Sequence, residues 1–162
     1  MRGKAGLRNP HSGQYTIVRS VEFMEDFNEW WKDEILKDGI SDPRAGDFPR
    51  QFIACKDLAS LAVQAFNNPE EWIGPAINVA GDEMTNTEMA EIFSRVLGRP
   101  VPLNLITWEE WEERYHIPSV IVDVWKWYNK TRFVADVKAL RKQYPNMQRL
   151  EDFLRETGWD KF

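Results

Sequence analysis

Between Phe52 and Arg99 the chain alternates between two hydrophobic rhythms. Phe52-Ile53-Ala54-Cys55 is a short apolar run of strand-like residues, too short to be a helix by itself. Asp57 follows as a candidate N-cap, because its carboxylate can accept the free amide hydrogens of a first helical turn. Leu58, Leu61, Ala62, Ala65 and Phe66 recur at helical spacing and predict a helix with one apolar face. Asn67-Asn68-Pro69 stops it, since proline cannot continue a helix and disfavours helix at the residue before. Ala76 to Ala80 is the next strand, closed by Gly81-Asp82. Thr85 with Glu88 makes a capping box, and Met89, Ile92, Phe93, Val96 and Leu97 form the stripe behind it, ended by Gly98 and Pro100. Strand, helix, strand, helix with short connections predicts an α/β fold with parallel strands.

The flanks extend the pattern. Tyr15 to Arg19 reads as a strand, and Phe23, Phe27, Trp30 and Trp31 then fall at i, i+4, i+7 and i+8, one helical face loaded with aromatics. That face either packs on the core or covers a pocket. Ile40 to Arg50, with Gly39 before it and Pro43, Gly46 and Pro49 within it, reads as a loop. Val101 to Leu105 is extended, and Thr107 opens a helix with a second capping box to Glu110. Trp108, Trp111 and Tyr115 share a face of that helix. Its four glutamates (Glu109, Glu110, Glu112 and Glu113) fit the helix dipole and solvent better than paired acid/base chemistry. A helix after Pro118 is apolar over so wide an arc, through Val120, Ile121, Val124, Trp125 and Trp127, that it must be deeply buried or shared with a partner. His116 reads as an ordinary helix-end residue. Asp136 to Tyr144 is a polar helix or turn, and Leu150, Phe153 and Leu154 mark a last helix ended by Gly158. Met1 to Gln14 has no periodicity and reads as a disordered lead-in, leaving one domain over 15–162.

Composition narrows the function classes. A net charge of −5 and the lack of a basic run argue against nucleic-acid binding. One cysteine and two histidines build neither a disulfide framework nor a zinc site. Cys55, in its apolar run, reads as an inert buried thiol. No apolar run is long enough to span a membrane and no signal-peptide core is visible, so the expected setting is cytoplasmic, with the nucleus also open. Eight tryptophans are more than a core of this size needs, which leaves some to face a partner or a pocket.

Several of these segments together resemble the NmrA-like family, atypical short-chain dehydrogenase/reductase relatives that bind NAD(P). The residues that carry the resemblance are Asp57-Leu58-Ala59 opening a helix, a G-x-x-x-N-x-A-G-D strand from Gly74 to Asp82, and Gly98-Arg99-Pro100-Val101. Upstream, Tyr15-Thr16-Ile17-Val18-Arg19 and Phe23-Met24-Glu25-Asp26 are similar to that family's Y-T-I-L-R-P-G-x-F-M-E-N. The resemblance runs from about Tyr15 to the C-terminal helix. It implies the C-terminal portion of a Rossmann-type fold, with NADP or NAD as the family's cofactor. It also implies that the backbone after the Tyr15 strand, Ser20, Val21, Glu22 and Phe23, approaches the nicotinamide. Phe27 and Trp108 then line the substrate side. The chain departs from the family pattern at Ser20 for proline, Val21 for glycine and Asp26 for asparagine. The valine places a side chain where backbone would approach a ligand.

A dinucleotide fold also needs glycines that seat the pyrophosphate on a helix N-terminus. The nine glycines form no G-x-G-x-x-G or G-x-x-G-x-x-G after a strand, and Gly3-x-x-Gly6 has no strand before it. Neither Tyr15 nor Tyr115 has a lysine at i+4, as a classical short-chain reductase would. The first dinucleotide-binding βα unit is therefore expected to be absent, through truncation, fragmentation or assembly with another chain. The chain is then expected to be non-catalytic alone. Two alternatives remain open. One is an interaction or self-association module using aromatic faces around Trp30, Trp111 and Trp125. The other is a residual small-molecule pocket lined by Phe23, Phe27 and the Trp108 helix.

Overall fold

The computed structural model describes residues 15–74 and 76–162; the expected disordered lead-in, 1–14, lies outside them. In chain order the elements are β1 (Ile17–Arg19), β2 (Glu22–Phe23), α1 (Asp26–Glu29), α2 (Lys32–Lys37), β3 (Ile40–Asp42) and β4 (Pro49–Ile53). They continue with α3 (Cys55–Asn67), α4 (Pro69–Trp72), β5 (Ala76–Asn78), β6 (Asp82–Thr85), α5 (Asn86–Leu97) and β7 (Leu103–Leu105). The last are α6 (Trp108–Tyr115), α7 (Ser119–Thr131), α8 (Val137–Gln143), α9 (Leu150–Glu156) and a 3-10 turn, Trp159–Lys161. This is the expected α/β fold, with short parallel strands and several helices.

The strands form three small sheets. β1 pairs with β5, β2 with β4 and β3 with β7, all parallel, while β6 runs antiparallel to β4. Successive strand residues point to opposite faces, and β4 feeds two cores in this way. Phe52 packs with Met24, Phe27, Met89, Phe93, Leu154 and Trp159, whereas Ile53 packs with Val21, Leu61, Trp72, Val79 and Ala80.

Local signals account for the helices that matched expectation. Both capping boxes are made: Glu88 N–H donates to Thr85 Oγ1 at 3.1 Å, and Glu110 N–H to Thr107 Oγ1 at 3.1 Å. Each satisfies amide groups that the first helical turn leaves without partners. Gly98 ends α5 in the left-handed region at φ 64°.

Other expectations are corrected. The Phe23–Trp31 stretch is no single helix: β2 pairs with β4 through Glu22–Phe52 and Phe23–Ile53, and α1 ends at Glu29 before α2 begins. Pairing with a buried strand overrides the helical spacing. The Ile40–Arg50 stretch is no plain loop, since it holds β3 and the start of β4. Asp57 does not cap α3, which begins two residues earlier with Ala54 at its N-cap. The Asp57 carboxylate instead accepts the Gln148 N–H at 2.8 Å and ties α3 to the chain entering α9. Cys55 is exposed, because the strand stops at Ile53 and the cysteine opens the helix. Phe66 is 85% exposed, off the face that buries Leu61. Trp159, near the chain end, is fully buried in the α5–α9 core.

Candidate functional site

β2, β3, β4 and the start of α5 bring four ionised side chains together beneath the protein surface. Glu22, Asp42, Arg44 and Arg50 are each more than nine-tenths buried. Arg44 grips Asp42 in a fork, Nε to Oδ1 at 2.8 Å and Nη2 to Oδ2 at 2.7 Å, and its backbone N–H donates to Oδ1 at 2.7 Å. Arg44 Nη1 reaches Glu22 Oε1 at 3.2 Å. Arg50 donates from Nε to the same oxygen at 3.1 Å, from Nη2 to Glu22 Oε2, and from Nη1 to Asp42 Oδ2 at 3.3 Å. Two guanidinium groups and two carboxylates thus neutralise one another. Asn86, fully buried, locks the arrangement by donating Nδ2 to the carbonyls of Arg44 and Ala45 at 3.1 and 3.2 Å.

Burial alone would raise the Asp42 carboxyl, but the Arg44 ion pair and hydrogen bonds, aided by Arg50, outweigh it and hold it below the ordinary carboxylate range. Burial would likewise lower the Arg44 guanidinium, and Glu22 and Asp42 more than reverse that. A cluster of this kind is costly to desolvate and more costly to break, since the loss of one partner leaves a buried charge unpaired.

Over this floor lies a cavity of about 70 Å³, lined by Glu22, Phe23, Asp26, Phe27, Trp31, Glu34, Gly39, Ser41, Asp42, Arg44, Arg50, Trp111, Tyr115 and Trp125 among others. Gly39 shapes one edge. At φ 97° its backbone comes so close to Pro102 that a Cβ would meet the Pro102 oxygen at 2.4 Å, and this lets Ile40 N–H bond that oxygen at 2.9 Å to start the β3–β7 pairing. Aromatic rings form the wall. Trp31 and Trp111 stack at 6.4 Å with 27° between planes, Tyr115 meets Trp31 edge-on at 4.9 Å, and Trp125 carries Arg44 over its face at 5.0 Å.

Three polar residues of the lining, Glu34, Ser41 and Tyr115, are joined by Arg114 from outside it. The Tyr115 hydroxyl donates to Glu34 Oε2, and Arg114 donates from Nη1 to Ser41 Oγ at 2.9 Å and lies 3.5 Å from Glu34. Desolvation first, then the hydrogen bond to Glu34, push the Tyr115 phenol up to about 12. At neutral pH it is a fixed hydrogen-bond donor and a poor source of protons. Asp26 is pushed up by burial and then by the carboxylates of Glu22 and Glu25, with Arg50 pulling the other way.

The sequence-predicted site residues divide. Glu22, Phe23 and Phe27 line the cavity, although the Glu22 carboxylate is fully engaged by arginines. Val21 packs into the second core, and neither it nor Ser20 lines the cavity. Trp108 stands one ring behind the wall, edge-on to Trp111 at 5.8 Å. Sequence reasoning missed Asp42, Arg44 and Arg50, which fell in the stretch read as loop, and Glu34. It had Trp31 on a face that packs on the core or covers a pocket, Tyr115 on the Trp108 helix, and Trp125 toward a partner, and all three line the cavity. The available signal was a charge set against an apolar run: Arg50 stands just before Gln51-Phe52-Ile53-Ala54. Of the aromatic faces expected to meet a partner, Trp111 is 7% exposed and Trp125 lines the cavity, so Trp30, at 75%, is the exposed member of the three. The outward face of α7 is apolar instead, through Val120, Ile121, Val124 and Trp127.

Among the described residues no group of three metal-ligating side chains gathers, and no helix is long and apolar enough to cross a membrane. The parallel strand pairs, flanking helices and polar pocket at strand ends define a Rossmann-type lobe. The chain belongs to the NmrA-like family, whose model matches residues 4–154. That match begins upstream of Tyr15, where the motif resemblance started. Similar folds among solved structures include a nucleoside-diphosphate-sugar epimerase from Staphylococcus aureus, 20% identical with a TM-score of 0.74, over 88% of this chain and 52% of that one. NmrA, a negative transcriptional regulator, in complex with NADP, is 16% identical with a TM-score of 0.63, over 87% of this chain and 51% of that one. NmrA with NAD is 17% identical with a TM-score of 0.61, over 90% and 53%. The chain spans about half the length of these structures.

Proposed function

We propose that this chain is the substrate-side lobe of an NmrA-like protein, which forms one wall of a nicotinamide and ligand pocket and does not hold NAD(P) or transfer hydride alone. The observation that carries this reading is the position of the cavity: it is bounded by Glu22 and Phe23, within the segment that the family pattern sets beside the nicotinamide, and by Phe27. A nicotinamide ring, when bound, donates or accepts hydride. This chain's own residues would bound the ring at Glu22 and Phe23 and shape the space beyond it with Phe27, Trp31 and Trp111.

The described residues fit that end of a dinucleotide and not the other. Four glycines have positive φ, but Gly98 follows a helix, Gly158 lies after α9, Gly39 packs on Pro102 and Gly74 precedes β5. None opens a long helix after a strand, the geometry that seats a pyrophosphate. Tyr115, pushed up to about 12, and the mutually paired buried ions are poorly suited to general acid/base work, which leaves Asp26 as the one unpaired carboxylate described in the cavity lining. Tryptophan emission tests this reading, because NADPH bound beside Trp31 and Trp111 would quench it. Titration of the chain with NADPH should give no saturable quenching; saturation at micromolar concentrations would overturn the proposal.

The α7 surface favours a second reading, self-association through Val120, Ile121, Val124 and Trp127, which are 64, 43, 44 and 56% exposed. Sedimentation should then show a dimer that Val124→Glu dissolves. A monomer at high concentration would exclude it.

A further inference from the structure

The charges around the cavity do not balance once its internal pairs are counted. Glu22, Asp42, Arg44 and Arg50 cancel two against two, and Glu34 is engaged by Tyr115 and the exposed Arg114. The Asp26 carboxylate lines the same space and makes no hydrogen bond or ion pair among the described residues. An anion placed there would face Asp26 and Glu34, and a neutral body would desolvate Asp26 further without compensation.

The aromatic wall points the same way. Ring faces attract cations through their quadrupoles, most strongly when the pair is shielded from water. The cavity already shows this chemistry at Trp125, which carries the Arg44 guanidinium over its face at 5.0 Å. Trp31 and Trp111 line the same space, and among the described residues no cationic side chain lies over either ring. The volume of about 70 Å³ suits a compact group.

We propose that this cavity takes a small organic cation, an ammonium or quaternary ammonium group held against Trp31 and Trp111 with the Asp26 carboxylate as counter-ion. The inference rests on reading the cavity as the ligand side of the lobe, and it names the ligand class. The positive charge of such a group would offset the burial and the repulsion from Glu22 and Glu25 that disfavour ionised Asp26.

Three probes test it on the full chain by tryptophan fluorescence and calorimetry: choline, its uncharged isostere with carbon in place of nitrogen, and a carboxylate of similar size. Choline should bind saturably and at least about tenfold more tightly than the isostere. Asp26→Asn should erase most of that difference while leaving the isostere unchanged. Equal binding of charged and neutral probes, tighter binding of the carboxylate, or no saturable choline binding would each overturn the proposal. If Asp26→Asn fails to fold, the three-probe comparison on the unaltered chain decides alone. No dinucleotide enters these titrations, so failure here leaves the reading of the lobe standing, whereas NADPH binding would sink the claim that the lobe holds no dinucleotide alone and is read out separately from the three probes.

Discussion

The Glu22 carboxylate and the Arg50 guanidinium face each other from adjacent parallel strands, both buried, joined through two nitrogens of the arginine. The pair stands beside Phe23 and under the cavity, so a charge network fixes the strand ends that shape the pocket. Its stability role follows from asymmetry: the intact cluster offsets its own desolvation, while a broken one leaves a buried ion.

Glu22→Ala should therefore cost about 3–5 kcal/mol in urea unfolding, because Arg44 and Arg50 lose a shared counter-ion. The exposed pair Lys56–Glu156, 2.7 Å apart with both side chains more than half exposed, should cost less than about 1 kcal/mol on Lys56→Ala. Similar losses from the two variants would contradict the assigned role of the buried cluster.

Asp42 sets an acid limit. An unfolded aspartate titrates near about 3.9, and folding holds Asp42 lower. Its stabilisation is thus present above about pH 4 and lost as pH falls through the folded value. Asp26, Asp57 and Asp82 shift upward, so their contributions have the opposite sign and are lost as pH rises through their folded values. Asp42→Asn should flatten the loss of stability below pH 4, measured by urea midpoints across pH. An unchanged acid slope would remove Asp42 as its cause.

Tyr115 should ionise last among the cavity's groups. Its phenol is pushed up to about 12, first by desolvation and then by Glu34. The stability it lends is present below about pH 10 and fades as pH rises through about 12. An ultraviolet titration of the chain minus that of Tyr115→Phe should show one phenol ionising near 12; ionisation near 10 would mean that the hydroxyl is free of Glu34.

Tryptophans should differ sharply in cost. Trp159 is fully buried, packs edge-on to Phe93 at 5.0 Å and donates its indole N–H to Asn28 Oδ1 at 2.6 Å. Trp159→Ala should lose about 3–5 kcal/mol, whereas Trp30→Ala should stay within about 0.5 kcal/mol. Denaturant midpoints check both.

What could be read in advance was local. Capping boxes at Thr85 and Thr107, the stripe from Met89 to Leu97, and Gly98 past its end each depend on residues within one or two turns, so α5 and α6 were legible. The pocket was not, because long-range partners make it. Helical spacing placed Phe23 and Phe27 together, yet Phe23 is drawn into β2 by a strand thirty residues on, Met24 N–H bonding Ile53 O at 3.1 Å. Asp42 and Arg44 sit among prolines and glycines that mark a loop, and only the approach of β3 to β2 and β4 reveals them as half of a neutral ion cluster. Antiparallel β6 was hidden for a similar reason: Asp82-Glu83-Met84-Thr85 is too polar to announce a strand. Family motifs singled out Ser20, Val21, Glu22 and Phe23, of which Glu22 and Phe23 line the cavity.

Thermal unfolding of the purified chain with and without saturating NADPH, NADP⁺, NADH and NAD⁺ tests the central claim most directly. A ligand that binds the native state must raise the midpoint, with about 2.7 kcal/mol of stabilisation at a hundredfold excess over its dissociation constant. The account predicts one cooperative transition that none of the four dinucleotides moves. A clear upward shift with any of them would contradict it and establish a complete dinucleotide site in this chain.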